Sequence, residues 1–325
     1  MKALICTRFG PPSALTLTEV ADPAAGPGQV VVNMRAASLN FTDVLMIAGR
    51  YQSDTRPPFC PGLEGAGVVR ACGAGVDDLA VGEQVVVTPG LGAFAEQVVA
   101  DRADVTPLPD GVSFAQGAVT PIAYATTYHA LCDQARLQPG QSLLVLGAGG
   151  GLGLSAVELG KHLGARVIAA ASTAQKLDTA TDAGADERID YSTTALKEAV
   201  RALTGGRGVD VVYDPVGGDL AEAALRATAT GGRFLVIGFA SGAIPKIPLN
   251  LALLKEASII GVFYGAWAKR CPQAAQDNLR ALLAMIAAGD IRPLIGGQFA
   301  LADYAAAFAS ITERRVIGKV VLTMS

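Results

Sequence analysis

A chain of 325 residues, at roughly 150 per domain, holds about two domains, which excludes a single small module. An apolar fraction of 51%, a charged fraction of 17% and a mean hydropathy of +0.38 exclude a largely disordered chain. Lys and Arg number 26 against 29 Asp and Glu, a formal charge of -3 with no run of like charge, so no electrostatic footprint for nucleic acid is visible.

In chain order, the first third consists of short β-rich runs separated by Gly and Pro: Ala3 to Cys6, Val30 to Ala36, Gly67 to Ala71, Gln84 to Thr88 and Glu96 to Ala100. They predict a compact, partly closed β domain. Only Ala3 to Thr7 separates Lys2 from Arg8, too short for the apolar core of a secretory signal, so a cytoplasmic location is expected. Two uncharged stretches follow, Gly111 to Cys132 and Leu137 to Val157. Polar residues and Pro121 interrupt the first, and Pro139 with six glycines the second, so no membrane span is predicted. From Ser142 the pattern alternates. Apolar runs at Ser142 to Gly147, Arg166 to Ala171, Val209 to Asp214, Arg233 to Phe239 and Ser258 to Phe263 are spaced by helical periods, as in a parallel sheet covered on both faces. Pro272 to Ala288 and Leu301 to Ile311 read as helices and Val316 to Leu322 as a strand, a tail expected to return to the first domain. Cys6, Cys60, Cys72, Cys132 and Cys271 are dispersed and form no C-x-x-C pair, which fits neither a disulfide framework nor a cysteine-rich zinc site.

Directly after the strand beginning at Ser142 comes Ala148-Gly149-Gly150-Gly151-Leu152-Gly153, and then a helical period from Leu154 to Leu163. Residues without Cβ atoms let the chain turn tightly and bring backbone N–H groups onto a pyrophosphate at a helix N-terminus. In this strand–loop–helix setting a dinucleotide is the expected ligand, with an ordinary tight turn as the alternative. The second strand ends at Ala171-Ser172-Thr173, without the acidic residue that would bind a free ribose 2′-hydroxyl. Ser172, with Lys176 four residues on and Tyr191 after the third strand, suits a 2′-phosphate and favours NADPH over NADH. Alternatively, Lys176 is a solvated helix-face lysine and Tyr191 a packing residue.

These residues carry a resemblance over nearly the whole chain. The sequence resembles the medium-chain dehydrogenase/reductase superfamily, and within it the zinc-independent NADPH:quinone oxidoreductase branch, the ζ-crystallin-like family. Gly62-Leu63-Glu64, Gly67, Gly73 and Val76 stand at the spacings of that superfamily's zinc-dependent signature, with Leu63 replacing the histidine. The branch is further resembled by Ser38-Leu39-Asn40-Phe41-Thr42-Asp43, Gly49-Arg50-Tyr51, Thr126-Thr127-Tyr128-His129-Ala130-Leu131 and the glycine loop, with Glu158 where a Gln is usual. Leu63 offers no lone pair and residues 85–107 contain no Cys, so no metal is expected.

The resemblance implies an α/β protein, a Rossmann doubly wound parallel sheet plus a GroES-like, partly closed β-barrel catalytic domain. Residues 1–121 would form the catalytic domain, 122–262 the nucleotide-binding domain and 263–325 the segment returning to the first. It further implies that Asn40 and Thr126 lie near the nicotinamide and that Gly150, Gly151, Leu152 and Gly153 meet the pyrophosphate. Lys176 and Tyr191 would meet the 2′-phosphate, while Phe239, Val262 and Phe263 would border the nicotinamide. Lys319 is either a cofactor contact or a surface lysine.

Without a metal, hydride transfer favours acceptors that spread charge through their own π-system, so quinones are the expected substrates. Conjugated enones, 2-alkenals and 2-enoyl thioesters are the alternative. Tyr51 is either a proton donor or a pocket wall, and Asp43 either orients that segment or caps the helix that follows. A crystallin-like NADPH-binding protein with little catalysis is the reading from another class. The apolar run Ala257 to Tyr264, as an outer strand of the sheet, predicts a homodimer.

Overall fold

The computed structural model describes residues 1–52 and 54–324. The chain forms two compact units, one from Met1–Ile122 with Pro272–Ser325 and one from Ala123–Cys271. Residues 263–271, expected with the returning tail, lie in the second unit.

In the first unit, hydrogen bonds order the strands Ile295–Ala300, Lys319–Thr323, Gln29–Leu39, Gly65–Cys72, Gln84–Val87 and Val105–Pro107, while Gln97–Asp101 also pairs with Gln29–Leu39. The last strand of the tail is therefore built into this sheet, its Val320 opposite Leu39 and its Thr323 opposite Ala36. The expected barrel is not closed. Gln29–Leu39 changes partner along its length, with Gln97–Asp101 on its first half and Lys319–Thr323 on its second. Irregularities at Val31/Val32 and Met34/Ala36 bend it between. Curvature is thus achieved without a continuous ladder, and the three-residue outer strand ends on Pro107, which has no N–H to extend the pairing. Leu4, Val32, Phe94, Phe308 and Leu322 meet in its core.

The strands of the second unit are ordered Glu187–Asp190, Arg166–Ala171, Ser142–Leu146, Val209–Asp214, Thr228–Val236 and Ser258–Gly261, all parallel. In sequence rank this is 3-2-1-4-5-6, the doubly wound Rossmann order. Ser142–Leu146, in the middle, is buried at every position, as a strand covered on both faces must be. The fifth strand begins at Thr228, five residues before the apolar run that signalled it, because Gly231 and Gly232 mask its start.

The helical stretch from Phe114 to Gln134 is not uniform. Thr120–Tyr124 and His129–Gln134 are π-helical and flank the α-turn Ala125–Tyr128. Pro121 lacks the N–H that an α-helix needs, and the Thr120 hydroxyl donates instead to Gln116 O at 2.7 Å. All five cysteines are free, and no helix among the described residues is long and apolar enough to cross a membrane.

Candidate active site

The glycine loop of the second unit is shaped for close approach. Gly147 turns out of its strand at φ +61°, and a Cβ there would lie 2.8 Å from Val216 Cγ2. A Cβ on Gly153 would lie 2.1 Å from Gly147 O, so only glycine lets the helix start this near the strand. Gly150 is the N-cap of helix Gly151–His162, no side chain caps it, and its first turn holds no acidic residue. The unpaired N–H groups of that turn face outward with the positive end of the helix dipole, a cradle for a pyrophosphate.

The groups expected at a 2′-phosphate are drawn together beside this loop. Ser172 follows the strand Arg166–Ala171, and the Tyr191 N–H donates to Ala171 O at 3.1 Å. The stem of Lys176 lies against Gly149, where an added Cβ would sit 2.6 Å from the lysine Cβ. No carboxylate follows the strand end, so the residues present fit a phosphorylated dinucleotide. Tyr191 also packs on the core under helix Leu196–Leu203, which satisfies its packing role as well.

Three more expected residues belong to the ends of this sheet's strands. Asp214 Oδ1 accepts from the N–H groups of Val216 and Gly217 at 2.8 Å each, and its backbone oxygen accepts from Ile237 N. Phe239 follows, its ring against Gly217. Val262 N donates to Val236 O at 3.0 Å, leaving Val262 buried and Phe263 55% exposed. Thr126 is buried with no side-chain hydrogen bond to a described residue. Its neighbour Thr127 anchors the turn through Ser155 Oγ and Tyr213 OH, both at 2.7 Å. Glu158 accepts from Tyr124 OH at 2.5 Å, which gives the carboxylate at this position a partner.

The first unit holds a buried polar cluster. Lys319 Nζ donates to Asn40 Oδ1 at 2.5 Å and lies 3.3 Å from Glu64 Oε1, which also accepts from Asn40 Nδ2 at 2.7 Å. Glu64 Oε2 accepts from Ile122 N at 2.7 Å. Asp43 Oδ2 accepts from the N–H of Asn40 at 2.8 Å, closing the start of helix Phe41–Ile47. Lys319 is 6% exposed, so it is not a surface lysine.

Two carboxylates and one ammonium in so apolar a place leave a net negative charge if all are ionised. Burial accordingly pushes Asp43 up to about 7. The Asn40 N–H opposes that rise, the Glu64 charge adds to it, and Lys319 and the Gly62 N–H oppose it further. Among the described residues, Asp43 Oδ1 has no hydrogen-bond partner at full strength. Tyr51, half-buried, is pushed up by burial and by Asp43, so at neutral pH it is a phenol able to donate. Glu64 was not singled out in the sequence. The signal was there: a Glu directly before the apolar strand Gly65–Cys72 must be buried with hydrogen-bond or charge partners.

Two further reactive side chains, His129 and Cys60, have structural places. His129 Nδ1 meets Asp133 Oδ2 at 2.7 Å and its ring stacks on Trp267 with centroids 3.9 Å apart. Burial pushes the Cys60 thiol up to about 12, so it is no nucleophile at neutral pH.

The alcohol dehydrogenase GroES-like domain family matches residues 26–110 and the zinc-binding dehydrogenase family residues 151–282. Bovine quinone oxidoreductase-like protein 2 (Bos taurus) is 37% identical over 99% of this chain and 92% of its own length. The chain belongs to the medium-chain quinone oxidoreductase family. It is an oxidoreductase of the medium-chain dehydrogenase/reductase class. Quinone oxidoreductase of Pseudomonas aeruginosa is 36% identical over 97% of both chains. The structure of Escherichia coli quinone oxidoreductase in complex with NADPH superposes with a TM-score of 0.94 at 28% identity, over all of both chains. That of the Pseudomonas syringae enzyme superposes with a TM-score of 0.93 at 33% identity, over 99% of both.

One matched family is named for zinc, but the donors here do not fit that metal. Leu63 has no lone pair, Glu64 is bonded to Lys319, Asn40 and Ile122, and no group of three or more His, Cys, Asp and Glu side chains among the described residues is placed to hold a metal.

Proposed function

We propose that this member of the quinone oxidoreductase family reduces quinones with NADPH and without zinc. The observation that carries the reading is the buried cluster around Glu64. At the motif where zinc-dependent relatives place a histidine, this chain has Leu63 and an ammonium, Lys319, already bound to Glu64 and Asn40. Polarisation by a Lewis acid is not what these side chains supply, so the acceptor must delocalise the incoming charge itself.

When bound, NADPH supplies a hydride from its nicotinamide. The N–H groups of Gly151, Leu152 and Gly153 with Gly150 hold its pyrophosphate, and Lys176, Ser172 and Tyr191 its 2′-phosphate. Thr126 offers its hydroxyl to the nicotinamide half, and Phe239, Val262 and Phe263 give that half apolar walls. Lys319 and Glu64 hold the Asn40 amide in a single orientation, and Asp43 fixes the backbone at Asn40. The Tyr51 phenol donates a proton to the acceptor oxygen as charge builds there. The hydride and that one proton convert a quinone to its hydroquinone, and solvent then returns a proton to the Tyr51 phenolate.

A second reading, reduction of an activated C=C bond, uses the same residues. It is favoured by the same argument from charge, since a C=C bond conjugated to a carbonyl also spreads the incoming electron pair onto oxygen. Steady-state assays with 1,4-benzoquinone, 9,10-phenanthrenequinone, a 2-alkenal and crotonyl-CoA separate the two. The quinones are expected to give the highest kcat/KM, and a clear preference for the thioester replaces the first reading with the second.

The strand Ser258–Gly261 is bonded to the sheet along one edge only, with Ile259 exposed, and Leu249, Leu253 and Leu254 nearby in sequence are more than two-thirds exposed. We assign this surface to a homodimer, the sheet edge pairing with its counterpart. A monomeric mass independent of concentration in light scattering overturns that assignment.

A further inference from the structure

We propose that the second unit carries an additional anion site, separate from the cofactor cradle, which takes a small phosphorylated ligand bearing at least two negative charges. It is a depression of about 520 Å³ at the end of the sheet where the strands Val209–Asp214 and Thr228–Val236 begin, lined by Arg201, Arg207, Arg226 and Lys255 and by no carboxylate. The glycine cradle follows the last residue of Ser142–Leu146, a strand parallel to these two. The two places are therefore separated by about 20 Å, the length of a six-residue strand.

Arg207 is paired with Asp210 at 2.6 Å and Arg226 with Glu222 at 2.6 Å. Arg201 and Lys255 have no carboxylate partner among the described residues. Lys255 Nζ donates to Thr228 O at 2.6 Å. Its ammonium is disfavoured first by burial and then by the charges of Arg201 and Lys197, with no acidic group offsetting them. Like charges brought together and partly desolvated raise the free energy of the empty pocket, and an oxyanion lowers it. Arg201, Arg226 and Lys255 each lie in the last turn of a helix, where the dipole favours a cation. That explains each one singly but not their convergence on one concave surface. Guanidinium groups bind phosphate oxygens in pairs, and the glycine turn at Gly205, Gly206 and Gly208 leaves the rim without bulk.

The test is calorimetric titration of the NADPH-saturated protein with inorganic pyrophosphate at an ionic strength held constant with sodium chloride. A saturable heat is expected, weakened about tenfold by Arg201→Gln, which removes one charge-assisted contact from an exposed side chain. It is expected to vanish in the Arg201→Gln/Lys255→Gln double variant while the Kd for NADPH stays the same. No heat beyond that of added chloride overturns the proposal, as does binding that survives the double variant. Binding lost in Lys176→Ala but kept in Arg201→Gln assigns the heat to the cofactor cradle and overturns it too.

Discussion

Replacing Lys319 by Met removes the ammonium at the heart of the buried cluster while keeping an unbranched side chain of similar length. Glu64 retains the amide of Asn40 and the N–H of Ile122 but loses its only neighbouring cation among the described residues, and Asn40 Oδ1 loses its donor. Glu64 is fully buried, so the stranded carboxylate has no water to turn to. Breaking a buried pair from one side costs about 3–5 kcal/mol. In a protein of this size that corresponds to a fall in Tm on the order of 10 °C. The companion variant Lys319→Met/Glu64→Gln leaves no unpaired charge and keeps an amide able to bond Asn40 and Ile122. It is expected to recover at least about 2 kcal/mol. Urea unfolding of the parent, both single variants and the double variant measures the coupling. A Lys319→Met protein within about 1 kcal/mol of the parent would show that Glu64 does not depend on the ammonium, as would losses that simply add.

Asp43 titrates in the folded protein near 7, well above an ordinary carboxyl, so between about pH 4 and pH 7 the folded state holds a proton that the unfolded chain releases. Stability is fully present below the unfolded value and declines as pH rises, by up to about 1.4 kcal/mol per pH unit in that window. Asp43→Asn keeps an acceptor for Asn40 and should flatten the urea midpoint across pH 5 to 8, and an unchanged slope would assign the titration elsewhere. Lys176→Ala should raise the Kd for NADPH about 10- to 100-fold, the worth of a charge-assisted bond, and leave NADH untouched. Equal losses would remove Lys176 from the 2′-phosphate. Gly153→Ala forces a methyl group onto Gly147 O and should lower stability by about 1–3 kcal/mol with loss of cofactor fluorescence quenching. Tyr51→Phe should lower kcat with enones more than it changes KM, whereas an unaltered kcat makes solvent the proton donor.

Much of the fold was legible because its signals are local. The apolar runs that became Ser142–Leu146, Arg166–Ala171 and Val209–Asp214 mark strands buried on both faces, and Gly147, Gly149 and Gly153 mark a turn too tight for a Cβ at those positions. The helix Pro272–Ala288 begins at the proline that suits its first turn. Strands Leu15–Glu19, Val105–Pro107 and Ile295–Ala300 were not foreseen, since the first and last are exposed at alternate or outer positions and the second is only three residues long, so that tertiary pairing outweighs a weak local preference. The π-helical turns around Ala125–Tyr128 likewise left only Pro121 as a trace.

By itself the sequence determined that residues 142–153 make a glycine-lined strand–turn–helix and that position 63 offers no metal ligand, because both depend on neighbours a few bonds away. Only the tertiary structure decided what Lys319 does. Its ammonium meets Asn40 across 279 residues, and Glu64 across 255, because the tail strand pairs with Gln29–Leu39. Burial then turns those side chains into one electrostatic unit and moves Asp43 toward neutrality. Charge in a low-dielectric interior is set by whatever the fold brings within a few ångströms, and no spacing along the chain encodes that distance.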